Sequence, residues 1–167
     1  GPSPGAQVQS GRLVLDRTEN RLVVAGGALA EAGVWTLSLG ATPSWSRLAD
    51  MPDAQFGFHV DASLVLDDER HQLVHFGGHP RLGEIWALSL ETAQWTLLDE
   101  GNSASDSYQG TTVLDAENDR LVLLGGDQNS GVALFSLETL DWTFVELDAS
   151  LSSHRGASGI ADSARHR

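Results

Sequence analysis

LVVAGG at residues 22–27, LVHFGG at 73–78 and LVLLGG at 121–126 decide the reading of this chain, because they are one motif written three times. Each is a short apolar run closed by a Gly-Gly pair. From Gly26 to Gly77 is 51 residues, and from Gly77 to Gly125 is 48. A polar, acidic segment precedes each run: DRTENR (16–21), DDERHQ (67–72) and DAENDR (115–120). A Trp follows each at a matched distance, at Trp45, Trp95 and Trp142. A period near 50 with three landmarks in constant order marks a repeat architecture.

The second unit shows what one repeat contains. Ala62 to Leu66 (ASLVL) has the length and composition of a short strand, and DDERHQ is a turn. Leu73 to Phe76 is a second strand, apolar on both faces, as suits a strand covered on both sides. Gly77-Gly78 then allows backbone angles or close approaches that a side chain forbids. EIWALSL (84–90) alternates with period two, ETAQ is a turn, and Trp95 to Leu98 is a fourth strand. Four short strands joined by tight turns make an antiparallel meander.

The other units align position for position. Trp35 to Leu39 (WTLSL) matches Trp86 to Leu90 (WALSL) and Ala133 to Leu137 (ALFSL). The third unit lacks the Trp, at Ala133, and carries Phe135 where the others have Leu. That exchange is expected to restore volume within one core layer. No segment carries a helical pattern.

These residues resemble the kelch repeat: Gly-Gly after a hydrophobic strand, an aromatic-bearing third strand, and a Trp opening the fourth. The resemblance spans about residues 8–162 in three ordered copies. It implies an all-β kelch-type propeller built of four-stranded antiparallel blades, here about half a ring. The expected division is a flexible N-terminal segment (1–7), blade 1 (8–52), blade 2 (53–102) and blade 3 (103–150). The first strand and turn of an incomplete fourth blade follow (151–167). Two departures stand out. Ala133 replaces an aromatic, and the Arg common before the first strand occurs once, as Arg155.

ASGIADSARHR (157–167) aligns with a first strand and acidic turn, Asp162 matching Asp16, Asp67 and Asp115. Repeats need neighbours or caps on their apolar faces. Three expectations follow: the blades belong to a longer chain, two copies complete a ring, or a different chain supplies the remaining blades. Each predicts a large apolar interface.

Composition narrows the function. The 167 residues carry a formal net charge of −13, and all 10 basic residues are Arg. So acidic a surface repels phosphate backbones and anionic membranes, so neither nucleic acid nor membrane is an expected partner. There is no Cys and one Tyr, Tyr108. Kelch-like propellers include copper-radical sugar oxidases, whose chemistry requires a Cys-modified Tyr, so that resemblance stops at the scaffold. His59, His71, His75 and His79 cluster in the second unit but fall on different parts of it, with His75 at a core position. No metal site and no cofactor is expected from them. The acidic turns lack the spacing of a calcium loop and read as hairpin tips, where Asp hydrogen-bonds its own backbone. The recurring Trp residues read as packing within and between blades.

Repeat proteins place their variation on a binding face. The loops entering the first strand and joining the second to the third leave a blade at the same end. They carry Phe56, His59, His79, Arg81, Ser107, Tyr108, Gln109, Gln128, Asn129, His154 and Arg155. This mixed polar and aromatic rim resembles the peptide-binding face of kelch domains, and Tyr and Arg suit energetically dominant contacts. The expected function is a binding scaffold for a protein, peptide or glycan, without catalysis. The alternatives are a blade set of a kelch-containing enzyme, with catalytic residues partly elsewhere, and a half-propeller that closes a ring with itself.

Overall fold

The computed structural model describes residues 2–4, 11–26, 33–52, 62–78, 83–101, 110–124, 131–146 and 158–162. Among these residues twelve strands form three four-stranded antiparallel sheets in simple chain order. Blade 1 holds β1 (Arg12–Asp16), β2 (Arg21–Gly26), β3 (Gly33–Ser38) and β4 (Trp45–Asp50). Blade 2 holds β5 (Ser63–Asp67), β6 (Gln72–Phe76), β7 (Ile85–Ser89) and β8 (Trp95–Asp99). Blade 3 holds β9 (Thr111–Asp115), β10 (Arg120–Leu124), β11 (Val132–Ser136) and β12 (Trp142–Val145). The first strands neighbour one another, β1 beside β5 and β5 beside β9, so the blades fan out from a shared inner edge.

Two apolar seams hold the blades together. Val23, Ala25, Val34 and Met51 of blade 1 meet Leu73, Leu88 and Leu90 of blade 2. Val65, Val74, Phe76 and Ile85 of blade 2 meet Leu121, Leu123, Ala133 and Phe135 of blade 3. β6 therefore serves both seams, one per face, which is why its apolar run has no alternation: Leu73 to Phe76 are all buried. Burying side chains of this size contributes roughly 1.5–3 kcal/mol each. His75 lies in the same strand, 3% exposed, with its ring edge-on to Trp95 at 6.2 Å.

The three blades differ at one joint. In β4 and β8 the ladder shifts register, so that Trp35 pairs with Arg47 and Trp86 with Leu97. Each shift leaves one extra residue, Leu48 or Leu98, and both pack against a seam. In blade 3, Ala133 pairs with Phe144 in unbroken register. The missing Trp is made good twice. Phe135, 0% exposed, packs on Trp142 at 5.0 Å, and Phe144 stacks on the same indole at 5.8 Å.

Glycine is required where the sheets turn at the loop-bearing end. Gly26, Gly77 and Gly78 have φ of 127°, 66° and 90°, a region that side chains disfavour. Gly101 (φ 77°) lies so close to Gly83 that an added Cβ would stand 2.6 Å from the Gly83 carbonyl carbon.

Candidate functional site

Each blade has two ends, and the strand registers define them. At one end Ser63 faces Phe76, Phe76 faces Ile85 and Ile85 faces Asp99. The matched sets are Arg12, Ala25 and Val34 with Ala49 in blade 1, and Thr111, Leu124, Val132 and Val145 in blade 3. The chain enters the first strand and crosses from the second to the third at this end, so the anchors of every variable loop share one edge. Among the described residues, side chains join the blades there. Arg12 Nε donates to the Ala62 carbonyl at 2.7 Å, and Ser63 Oγ to the Gly110 carbonyl at 3.4 Å.

The eleven residues expected to form the rim fall, in sequence, between the strands that these anchors begin or end. Phe56, His59, His79, Arg81, Ser107, Tyr108, Gln109, Gln128, Asn129, His154 and Arg155 all lie outside the described residues.

The opposite end is closed by short turns held together by their own side chains. The acidic segments are hairpin tips. Asp16 Oδ1 accepts the Glu19 amide at 3.1 Å, Asp67 Oδ1 the Arg70 amide at 3.1 Å, and Asp115 Oδ1 the Asn118 amide at 3.4 Å. The other carboxylate oxygen takes the residue that opens the second strand: Arg21 at 2.8 Å, Gln72 at 3.0 Å and Arg120 at 2.8 Å. Asn20, His71 and Asp119 occupy the left-handed region at φ 49°, 47° and 48°. Their carbonyls accept the amides of Leu39, Leu90 and Leu137, locking each tip to the end of the third strand. The Ser before each of these leucines works on the next turn. Ser38 Oγ accepts the Ser44 amide, Ser89 Oγ that of Thr92 and Ser136 Oγ that of Thr139.

The tips also link blades. His71 Nε2 of blade 2 stands 3.8 Å from Asp16 Oδ2 of blade 1. Arg70 spans Asp67 in its own tip and Asp119 in blade 3. Protonation equilibria shift accordingly. Burial of Asp16 opposes its ionisation, but the Glu19 amide, Arg21 and His71 outweigh it and hold the carboxyl below the usual aspartate range. Burial opposes Asp115 likewise, and Asn118 and Arg120 bring it down. The Asp119 hydrogen bond holds Arg70 more firmly protonated than an ordinary Arg. Shifted groups often mark catalysis. Here Asp16 and Asp115 are each bonded within their own hairpin tip, and Arg70 ties Asp67 to Asp119, so all three serve the fold.

The Trp residues pack. Trp142 lies 6.2 Å from Phe76 across the second seam, and Trp95 Nε1 donates to the Asp50 carbonyl of blade 1 at 2.7 Å. Among the described residues no three His, Asp or Glu converge to hold a metal ion, and no helix is long and apolar enough to cross a membrane. A feature that residue pattern alone did not reveal is a cleft of ≈ 360 Å³ between blade 3 and residues 158–162. Its only trace in the sequence is Gly159 and Ala161, small residues at positions where β1 and β5 carry Leu.

The chain is similar to the solved structure of YjhT, a β-propeller-like protein, at 15% identity and a TM-score of 0.69. The likeness covers 87% of this chain and 52% of YjhT, so the chain spans about half the length of that protein. At this identity the likeness is one of fold. No protein-family profile and no curated protein matches the chain. Fold and registers together define a β-propeller scaffold: an all-β stack of four-stranded blades, closed by ion-paired turns at one end and bearing its loops at the other.

Proposed function

We propose that the chain is a kelch-type, non-enzymatic binding scaffold that recognises a protein or peptide through its loop-bearing end. One observation carries this reading. Strand register puts the anchors of every variable loop of all three blades on a single edge. A ligand spanning several loops would therefore be held by a rigid sheet edge rather than by one mobile segment. Arg81, Tyr108 and Arg155, from three different loops, have the chemistry of contact-dominating side chains. The acidic balance, −13 overall, favours ligands with basic or neutral surfaces.

The test is selection of peptides by the whole chain from a random displayed library, followed by calorimetry of the binders against variants. Arg81→Ala, Tyr108→Ala and Arg155→Ala are each expected to cost more than about 1 kcal/mol of binding. Arg17→Ala, in the exposed tip at the other end, should leave affinity unchanged. Binders that ignore the rim variants, or that lose affinity on the tip change, would refute the assignment.

A further inference from the structure

We infer that a cleft between blades 1 and 2 binds a guanidinium group, the side chain of an arginine carried by a partner polypeptide. The cleft has a volume of ≈ 410 Å³, and Trp86, Trp95, Asp50 and Gln94 are among the residues that line it. Both Trp side chains are half-buried and both are pinned by their polar edges. Trp86 Nε1 donates to Glu84 Oε2 at 2.7 Å, and Trp95 Nε1 to the Asp50 carbonyl at 2.7 Å. With their N–H groups spent, what these indoles offer a ligand is π surface.

The matched places in the other blades say what belongs on such a ring. One fourth-strand position faces the third strand in every blade: Arg47 opposite Trp35, Leu97 opposite Trp86 and Phe144 opposite Ala133. In blade 1 Arg47 lays its guanidinium over Trp35, 5.6 Å from the ring centroid, while Nη2 holds Asp50 Oδ1 at 2.5 Å. In blade 3 Phe144 lies nearly parallel to Trp142, with 9° between the rings. Each time a planar group from the fourth strand covers an indole. Blade 2 has Leu97 there, neither planar nor charged, and the cleft lies against Trp86 and Trp95. Charge then selects a guanidinium over a phenyl. The Glu84 carboxylate polarises the Trp86 indole, which strengthens its hold on a cation. Asp50 is 72% exposed, and its carboxylate has acceptor sites beyond the one Arg47 takes. The net charge of −13 draws cations to the surface. A guanidinium can lay its flat face on an indole and still point N–H groups at a carboxylate, which an ammonium cannot. None of these residues belongs to the rim, so this site and the rim reading stand or fall separately.

The test titrates the whole chain with N-acetyl-arginine amide while the indole N–H resonances are followed by NMR. Saturable shifts are expected at Trp86 and Trp95 and none at Trp35, whose ring Arg47 already covers. The citrulline analogue, with the same shape and no charge, should bind at least about fivefold more weakly. Free arginine should also bind more weakly than the capped form, because its carboxylate would meet Asp50. Leu97→Arg supplies the chain's own guanidinium opposite Trp86, as Arg47 does opposite Trp35, and should abolish binding. Leu97 is 37% exposed, so this variant should fold as the parent does, which an unchanged Tm verifies. Asp50→Asn should weaken binding roughly threefold. The inference falls if the shifts do not saturate, if citrulline binds equally well, or if Leu97→Arg binds like the parent. Tighter binding of free arginine would overturn the assignment to a polypeptide side chain.

Discussion

Arg70 and Asp119 form a two-pronged ion pair between neighbouring blades, Nη1 to Oδ1 at 2.7 Å and Nη2 to Oδ2 at 2.6 Å. The same guanidinium holds Asp67 of its own tip at 3.2 Å, so one side chain ties a hairpin together and ties that hairpin to the next blade. The inner ends of the two tips are thereby fixed relative to one another at a place where the apolar seam does not reach.

A double-mutant cycle should show this coupling. Both partners are about one-third exposed, so solvent screens the pair, and Asp119→Asn should lower stability by about 0.5 kcal/mol. Arg70→Ala should cost more, about 1–2 kcal/mol, because buried Asp67 also loses a donor. Urea unfolding of the two single variants and the double variant should show non-additive losses, with the coupling shrinking at high salt.

Asp16 should shape the acid limb of the stability curve. Its folded carboxyl is held below the unfolded value of about 3.9. Its contribution is therefore full above that value and disappears as pH falls through the lower, folded value. Asp16→Asn is expected to lose about 1–3 kcal/mol at neutral pH, since a fully buried group gives up its ion pair with Arg21. Unfolding midpoints measured down the pH scale should converge with those of the parent chain below about pH 4. A constant gap at all pH would contradict this.

Leu140 should be improved by removal of its side chain. It is 41% exposed and sits at φ 60° in the β11–β12 turn, where its amide bonds the Ser136 carbonyl at 3.0 Å. A non-glycine residue in that region costs about 1 kcal/mol. Leu140→Gly keeps the bond and relieves the backbone, so thermal unfolding should shift upward by the equivalent of about 0.5–1 kcal/mol. Ala93, at φ 56° in the matching turn of blade 2, should respond in the same direction.

Much of the fold was legible in the sequence because its signals are local and repeated. The strands expected at Ala62 to Leu66, Leu73 to Phe76, Glu84 to Leu90 and Trp95 to Leu98 appear within one residue at each end. Alternation, turn residues and the Gly-Gly pairs are short-range features. The exchange of Trp for Phe135 was legible too, since both positions face one seam. The register shifts at Leu48 and Leu98 were not. They depend on whether a Trp or an Ala stands opposite in the neighbouring strand, and nothing in the fourth strand alone announces it. Nor was the service of Ser38, Ser89 and Ser136 as turn acceptors, because Leu-Ser-Leu reads simply as alternation. Variation between repeats named the rim residues, and register places their loop anchors on one edge.

The linked tips also constrain how such a chain can change by recombination. His71 reaches back to Asp16, and Asp119 reaches back to Arg70, each from the left-handed position of one blade to the turn before it. Moved to follow blade 1 directly, blade 3 would set Asp119 against Asp16 and Glu19, acid against acid. Blades alike enough to be exchanged by their cores are thus kept in sequence by their corners, and a duplication here must drift in pairs before its copies can trade places.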